Sequence, residues 1–149
     1  MRAPSPSRVL IVAHQTADSP ELAQAVARRV NDGACTFTLL VPARAHGLHG
    51  VPDPERHGIS EAEERLEVAI PLLSEAAGEA ILGVVGGHEP LAAVQDALNA
   101  LGFDEVMIAM LPLRDSQWFR LELPRKVRAL GVPVTEVITS ARELDHTAA

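Results

Sequence analysis

The chain has 149 residues, of which 47% are hydrophobic and 22% charged, and this fits one compact domain with a buried core. Its 13 basic and 20 acidic residues give a formal net charge of -7, which disfavours nucleic acid as a partner. The one cysteine, Cys35, excludes an intrachain disulfide and fits a reducing compartment. The first apolar run is too short for a signal peptide or a membrane span, so we expect a cytoplasmic protein with no membrane partner.

Five short apolar runs predict five strands. They are rich in Val, Ile and Leu and lack strict alternation, which is typical of parallel strands covered on both faces. They lie at residues 8–13, 36–41, 79–85, 104–110 and 132–138. We expect the first four to be central strands and the fifth, which carries Pro133 near its start, to lie at an edge.

Helix signals separate these runs. The expected helices, each with its own start and stop residues, span 19–33, 60–78, 90–102 and 124–131. The first should begin at Ser19 as N-cap with Pro20 following, and the second at a capping box formed by Ser60 and Glu63. A connection rich in Gly, Pro and His, residues 42–59, precedes the second helix and is long enough to be functional or mobile.

The alternation of strand and helix predicts an α/β fold, a single doubly wound domain with a parallel sheet and helices on both faces. The domain should span residues 8–138, with flexible termini at 1–7 and 140–149. In such sheets a ligand binds beyond the carboxyl ends of the strands, beside the point where the strand order reverses. Candidate binding residues are therefore sought in the segments that follow each strand.

His14, Gln15 and Thr16 follow the first strand directly and are candidate ligand-binding residues. The imidazole could contact a ligand or act as an acid or base near neutral pH, but a histidine without a visible carboxylate partner is more often structural. The amide and hydroxyl beside it suit neutral polar recognition. We therefore favour a structural or ligand-contacting role for His14 over a catalytic one.

Gly86 and Gly87 follow the third strand, at the start of the third helix. The unpaired N–H groups of a helix N-terminus can bind an anion, and glycines let a ligand approach the backbone. The alternative, which we favour, is a tight turn in which His88 or Glu89 caps the helix. Both interpretations remain open from the sequence.

The remaining reactive side chains indicate no catalytic or metal centre. His46, His49 and His57 share the long connection, but their spacing matches no standard zinc site, so no metal is expected. Cys35 precedes the second strand, at the wrong edge of the sheet for a nucleophile, which favours a structural role. The absence of the GxSxG, Walker A and GxGxxG motifs disfavours a serine hydrolase, a P-loop NTPase and an NAD-binding Rossmann protein.

Residues 8–138 resemble the universal stress protein family. The resemblance rests on the segments "VLIVAHQTADSPELAQAV", "GVVGGHEPLAAVQDALNALGFDEVMIA" and "VPVTEVI". It implies a five-stranded parallel sheet of order 3-2-1-4-5, of the adenine-nucleotide alpha-hydrolase-like type, and a homodimer. It also implies that an adenine nucleotide such as ATP is a ligand worth considering, although no cofactor is required.

The segment after the fourth strand departs from the pattern of the ATP-binding members of that family. Those members carry an aspartate after strand one, where this chain has His14, and a G-x2-G-x9-G-[ST] loop after strand four. Here no glycine occurs from residue 103 to residue 130. Arg114, Ser116 and Arg120 could instead bind an anion through their side chains, with Trp118 as a wall. The alternative is an ordinary solvated helix start.

Three functions follow in order of preference. The first is a universal-stress-type regulatory or interaction module, homodimeric through its last edge strand, without ATP hydrolysis and with degenerate or altered nucleotide binding. The second is a binding protein for a nucleotide or another small anion, and the third is an enzyme of the adenine-nucleotide hydrolase-like fold. The third ranks last because the SGGxDS-type pyrophosphate loop after strand one is missing.

Overall fold

The structure is a computed structural model that describes residues 6–43, 54–112, 118 and 121–139, without the side chains of 54–58. Strands and helices alternate along this chain as expected. The strands are β1 (Ser7–Val12), β2 (Cys35–Pro42), β3 (Leu82–Gly86), β4 (Glu105–Met110) and β5 (Val134–Ile138). The helices are α1 (Pro20–Asp32), α2 (Pro54–Ala77), α3 (Pro90–Leu101) and α4 (Leu123–Arg128).

All five strands form one parallel sheet in the order β3-β2-β1-β4-β5, which confirms the predicted order. The order reverses between β1 and β4, so the carboxyl ends of these two strands border the expected ligand crevice. The expectation that the third run is a central strand is wrong, because β3 forms an edge of the sheet. A short apolar run does not distinguish an edge from a centre, and Leu82 at the start of β3 is 70% exposed.

Two apolar cores cover the two faces of the sheet. One contains buried side chains of α1 and α2, including Leu22, Val26 and Leu73. The other contains buried side chains of α3 and α4, including Val94 and Val127. The strands at the centre contribute to both cores because successive side chains point to opposite faces. The helices therefore lie in two layers on either side of the sheet, as in a doubly wound domain.

The first helix has the ends that the sequence predicted. The Ser19 hydroxyl accepts a hydrogen bond from the Leu22 N–H at 3.2 Å, and Pro20 is the first helical residue. Gly33 is the C-cap, with its N–H bonded to the Val30 carbonyl. The start of α1 at Pro20 marks the end of the β1–α1 link, which comprises residues 13–19.

The second helix begins earlier than predicted. It runs from Pro54 to Ala77, so Ser60 and Glu63 lie inside the helix and do not form a capping box. Proline is well suited to the first position of a helix, where its missing N–H leaves no bond unmade, but Pro54 stands among other Gly, Pro and His residues that hid this signal. The predicted 42–59 connection therefore ends in helix, and its residues 44–53 lie outside the described chain.

The remaining element ends differ from prediction by a few residues. Ser7 belongs to β1, with its N–H bonded to the Ala34 carbonyl at 3.0 Å, so the strand begins one residue before the predicted start at residue 8. The predicted flexible segments 1–5 and 140–149 lie outside the described residues. The last helix spans Leu123–Arg128 rather than 124–131, after Glu122 in a left-handed conformation. Within the described residues, no helix has the length and apolarity needed to cross a bilayer.

Candidate functional site

The β1–α1 link forms one wall of the crevice between β1 and β4. Two backbone hydrogen bonds fold it, one from the Ala17 N–H to the His14 carbonyl and one from the Ser19 N–H to the Thr16 carbonyl. The Thr16 hydroxyl also donates to the Ala109 carbonyl in β4 at 3.0 Å. This bond crosses from the link to β4, so it holds the two sides of the crevice together.

The three predicted binding residues on this link differ in how far a ligand can reach them. His14 and Thr16 are buried, with 7% and 5% of their surface exposed, whereas Gln15 between them is half-buried. Both ring nitrogens of His14 are enclosed by protein. In this arrangement Gln15 is the side chain of the three that a ligand in the crevice would meet first.

His14 has a carboxylate neighbour that the sequence did not reveal. Its Nε2 lies 3.3 Å from Oε1 of Glu61, which belongs to α2. The helix had been expected to start at Ser60, and this would have placed Glu61 in its first turn. With α2 starting at Pro54, Glu61 instead lies inside the helix and contacts the β1–α1 link. The early start of α2 thus places this contact within the helix rather than at its end.

A cavity of about 210 Å³ lies beside this contact. Its lining comes from the β1–α1 link and from α2: Ala17, Asp18, Glu61, Glu64, Arg65 and Val68. Three carboxylates against one guanidinium make this an acidic surface that disfavours a phosphate. The Arg65 Nε lies 3.9 Å from Oε1 of Glu61, so the guanidinium partly balances that carboxylate. Among the described residues, no three His, Cys, Asp or Glu side chains lie close enough together to hold a metal ion.

Gly86 and Gly87 lie on the far side of β2 from the β1–α1 link. The Gly86 carbonyl accepts a hydrogen bond from the Ala43 N–H, and β2 separates it from β1. At a strand spacing of about 4.8 Å, the two groups of candidate residues are roughly 10 Å apart. Neither glycine has a positive φ, so the turn does not need the conformational freedom of glycine.

The two glycines have different surroundings. A Cβ on Gly86 would lie 2.8 Å from the Ala93 Cβ and 2.9 Å from Leu40 Cδ1, whereas a Cβ on Gly87 would meet nothing within 4 Å. Gly86 therefore lets α3 pack closely on the sheet, which is a structural role.

The N-terminus of α3 already holds an anionic group. The Glu89 carboxylate accepts a hydrogen bond from the Ala92 N–H at 2.7 Å, and Pro90 has no N–H to offer. This confirms the expected capped turn and identifies Glu89, rather than His88, as the cap. A bound anion at this helix end would have to displace the Glu89 side chain.

Solved structures with the same fold give the comparison with known proteins. A universal stress protein from Archaeoglobus fulgidus superimposes with a TM-score of 0.62 at 15% identity, over 88% of this chain and 93% of that one. A family member from Burkholderia pseudomallei gives 0.59 at 15% identity, over 88% and 95%. The chain has the universal stress protein fold.

A third neighbour carries a nucleotide. It is a universal stress protein family protein from Arabidopsis thaliana with AMP bound, which superimposes with a TM-score of 0.56 at 12% identity, over 93% of this chain and 95% of that one. No protein-family model and no curated protein matches the sequence significantly. At these identities the likeness concerns the fold and transfers no residue roles.

The segment after β4 is described only in part. Leu111 and Pro112 follow the strand and are half-buried, and Trp118 packs against the core beneath α3 and α4. The predicted anion-binding residues, Arg114, Ser116 and Arg120, lie outside the described residues, as do His46 and His49. His57 falls in α2, but its side chain is also outside what the structure describes.

Structural contacts occupy the opposite, amino-terminal edge of the sheet. The Arg29 guanidinium in α1 makes two hydrogen bonds to the Glu105 carboxylate at the start of β4, at 2.8 and 3.0 Å. The hydrogen bond to Glu105 raises the pKa of Arg29. Cys35 is half-buried at the start of β2, and burial raises the pKa of its thiol, which makes it a poorer nucleophile. These features agree with a structural role for Cys35.

Proposed function

We propose that this chain is a diverged universal stress protein that acts as a regulatory or interaction module, without ATP hydrolysis and with degenerate or altered nucleotide binding. The fold shared with universal stress proteins supports the general class. The low sequence identity, 15% to each of the two family members compared first, fits a diverged member. A cytoplasmic location fits the single free cysteine.

One observation supports the proposal of altered nucleotide binding. Three polar groups at the carboxyl edge of the described sheet already have protein partners. Glu89 caps α3, the Thr16 hydroxyl bonds to Ala109, and His14 contacts α2. After β4, Leu111 brings bulk and Pro112 lacks an N–H, whereas a triphosphate cradle needs backbone amides at close range. Within residues 6–43 and 54–112, this edge therefore offers little of what holds a phosphate chain.

The second candidate function is a binding protein for an adenine nucleotide or another small anion. The observation that favours it is the AMP bound to the Arabidopsis protein of the same fold. In this chain the ligand would lie in the crevice between β1 and β4, against Gln15, with positive charge from Arg114 and Arg120 and a hydroxyl from Ser116. A monophosphate would need fewer backbone amides than ATP. An enzyme of this fold ranks third.

Thermal unfolding with millimolar AMP, ADP, ATP and cyclic AMP separates the first two functions. A ligand at a hundred times its Kd stabilises the folded state by about 2.7 kcal/mol, which for a chain of this size raises Tm by several degrees. No shift with any nucleotide supports the module without nucleotide binding. A shift supports the binder, and calorimetry then gives the Kd. Release of inorganic phosphate from ATP would overturn the proposed lack of hydrolysis.

A variant pair tests the source of the positive charge. If the binder is correct, Arg114→Ala should weaken nucleotide binding. The matched control is Arg128→Ala, which removes an exposed arginine at the end of α4 that pairs with Glu136. Equal effects of the two substitutions, or none, would contradict the role of Arg114 while leaving the thermal-shift result intact.

The proposed homodimer forms through β5. This strand is at an edge of the sheet, so one side of its backbone has no strand partner within the described chain. Ile138, near its end, is 47% exposed. Light scattering should give a dimer for the unmodified protein and a monomer for Ile138→Lys. A monomer in both cases would refute the dimer, and a dimer in both would refute the use of β5.

A further inference from the structure

The contact between His14 and Glu61 joins the β1–α1 link to α2 through a titratable pair. The side chain of His14 is 8% exposed and that of Glu61 is 26% exposed, so water screens the pair only partly. An unperturbed imidazole changes its charge near pH 6.5, roughly, while a carboxylate stays ionised well below that. The contact therefore becomes an ion pair when the imidazole binds a proton.

The charges around the pair favour the protonated imidazole. Within the described chain, Asp18 on the β1–α1 link and Glu64 and Arg65 on α2 line the same cavity as Glu61. Arg65 is the competing cation, but its Nε is 3.9 Å from the Glu61 oxygen that lies 3.3 Å from His14. Among the described residues, three carboxylates against one guanidinium leave a net negative surrounding that favours the charged ring, whereas burial of the ring favours the neutral form.

We infer that Glu61 is a positioning residue that holds the His14 imidazole against α2, and that protonation of His14 turns this contact into an ion pair that fastens the crevice wall to α2. Two opposite charges at this separation attract each other more strongly than a carboxylate attracts a neutral ring. The contact is strongest in mildly acidic solution and weakens as the pH rises and the imidazole loses its charge.

The two sides of the link respond differently to pH. On the β4 side the Thr16 hydroxyl bonds to the Ala109 carbonyl, and neither group titrates. On the α2 side the attachment depends on the charge of His14. A rise in pH therefore loosens the link from α2 alone, next to the point where a ligand would meet Gln15. This inference assigns a regulation to the proposed binding crevice and depends on that function only for its effect on ligands.

A double-mutant cycle measures the contact without any ligand. Urea unfolding is compared for the unmodified chain, His14→Asn, Glu61→Gln and the double variant, at pH 5.5 and pH 8.0. The coupling between the two positions should change the unfolding equilibrium constant by about five- to tenfold more at pH 5.5 than at pH 8.0. The Arg128–Glu136 pair, 2.8 Å apart on the surface, is the control, because it is an ion pair that contains no imidazole. Its coupling should not change.

A second readout covers variants that fold poorly. Proton NMR of the unmodified chain and of Glu61→Gln follows the imidazole signal of His14, which is assigned by its absence in His14→Asn or by standard triple-resonance spectra. The signal should titrate at lower pH in Glu61→Gln, because the carboxylate that favours the charged form is gone. An equal coupling at both pH values, or a His14 titration that Glu61→Gln does not move, would overturn the inference. Neither readout involves a nucleotide, so failure of nucleotide binding would not affect it.

Discussion

Gly86→Ala should destabilise the protein because α3 leaves no room for a methyl group at this position. The added Cβ would stand 2.8 Å from the Ala93 Cβ, which is fixed to the helix backbone and can retreat only if α3 shifts. It would also stand 2.9 Å from Leu40 Cδ1, whose side chain is 1% exposed and has little space to move. Overpacking of a core typically costs about 1–3 kcal/mol. At roughly 4 °C per kcal/mol for a chain of this size, Tm should fall by roughly 4–12 °C.

Gly87→Ala is the matched control for this substitution. It adds the same methyl group at the next residue, where nothing lies within 4 Å and φ is not positive. It should be neutral or stabilise by about 0.4–1 kcal/mol, because alanine restricts the unfolded chain. Urea unfolding and calorimetric scans of both variants give the comparison. If Gly86→Ala were as stable as the unmodified protein, or Gly87→Ala the more damaging change, the close packing of α3 at Gly86 would be refuted.

Three further predictions concern the helix end and the amino-terminal edge of the sheet. Ser19→Ala should cost about 1 kcal/mol through loss of the α1 cap, and Ser19→Gly less; equal costs in urea unfolding would contradict the capping role. Glu105→Gln should cost about 1–3 kcal/mol because it weakens both hydrogen bonds from Arg29, and an unchanged urea midpoint would show that these bonds add nothing. Cys35 should react with iodoacetamide at pH 8 more slowly than a free cysteine, because its raised pKa leaves less thiolate; a rate equal to that of the urea-unfolded chain would refute this.

The fold was predictable where local signals and their tertiary outcome agree. The ends of α1 were predicted correctly from Ser19, Pro20 and Gly33, because capping acts within one turn of the helix. The parallel pairing followed from uniformly apolar strands joined by helices. The strand order 3-2-1-4-5 came from the family resemblance, since helical connections alone are compatible with several orders. Local chemistry thus predicted the elements and the resemblance predicted their arrangement.

The errors occur where a long-range contact decides the outcome. Ser60 and Glu63 have the spacing of a capping box, yet the helix passes through them because Pro54 starts it earlier. Glu61 therefore lies inside the helix. Its contact with His14 joins residues 47 positions apart, and no periodicity reveals it. The choice between an anion site and a cap at Gly86 and Gly87 also needed the position of the Glu89 carboxylate.

The capping of α3 by Glu89 has a consequence for anion binding at this end of the helix. A phosphate from solution must compete with a carboxylate tethered to the same chain, and short tethers give effective concentrations of the order of millimolar. Phosphate at concentrations below this effective concentration loses the competition to the Glu89 carboxylate, and no steric barrier is needed to exclude it. The restraint resides in one side chain, so a single Glu89→Ser substitution keeps a capping hydroxyl and removes the charge. One substitution is therefore enough to remove the competing charge from this helix end.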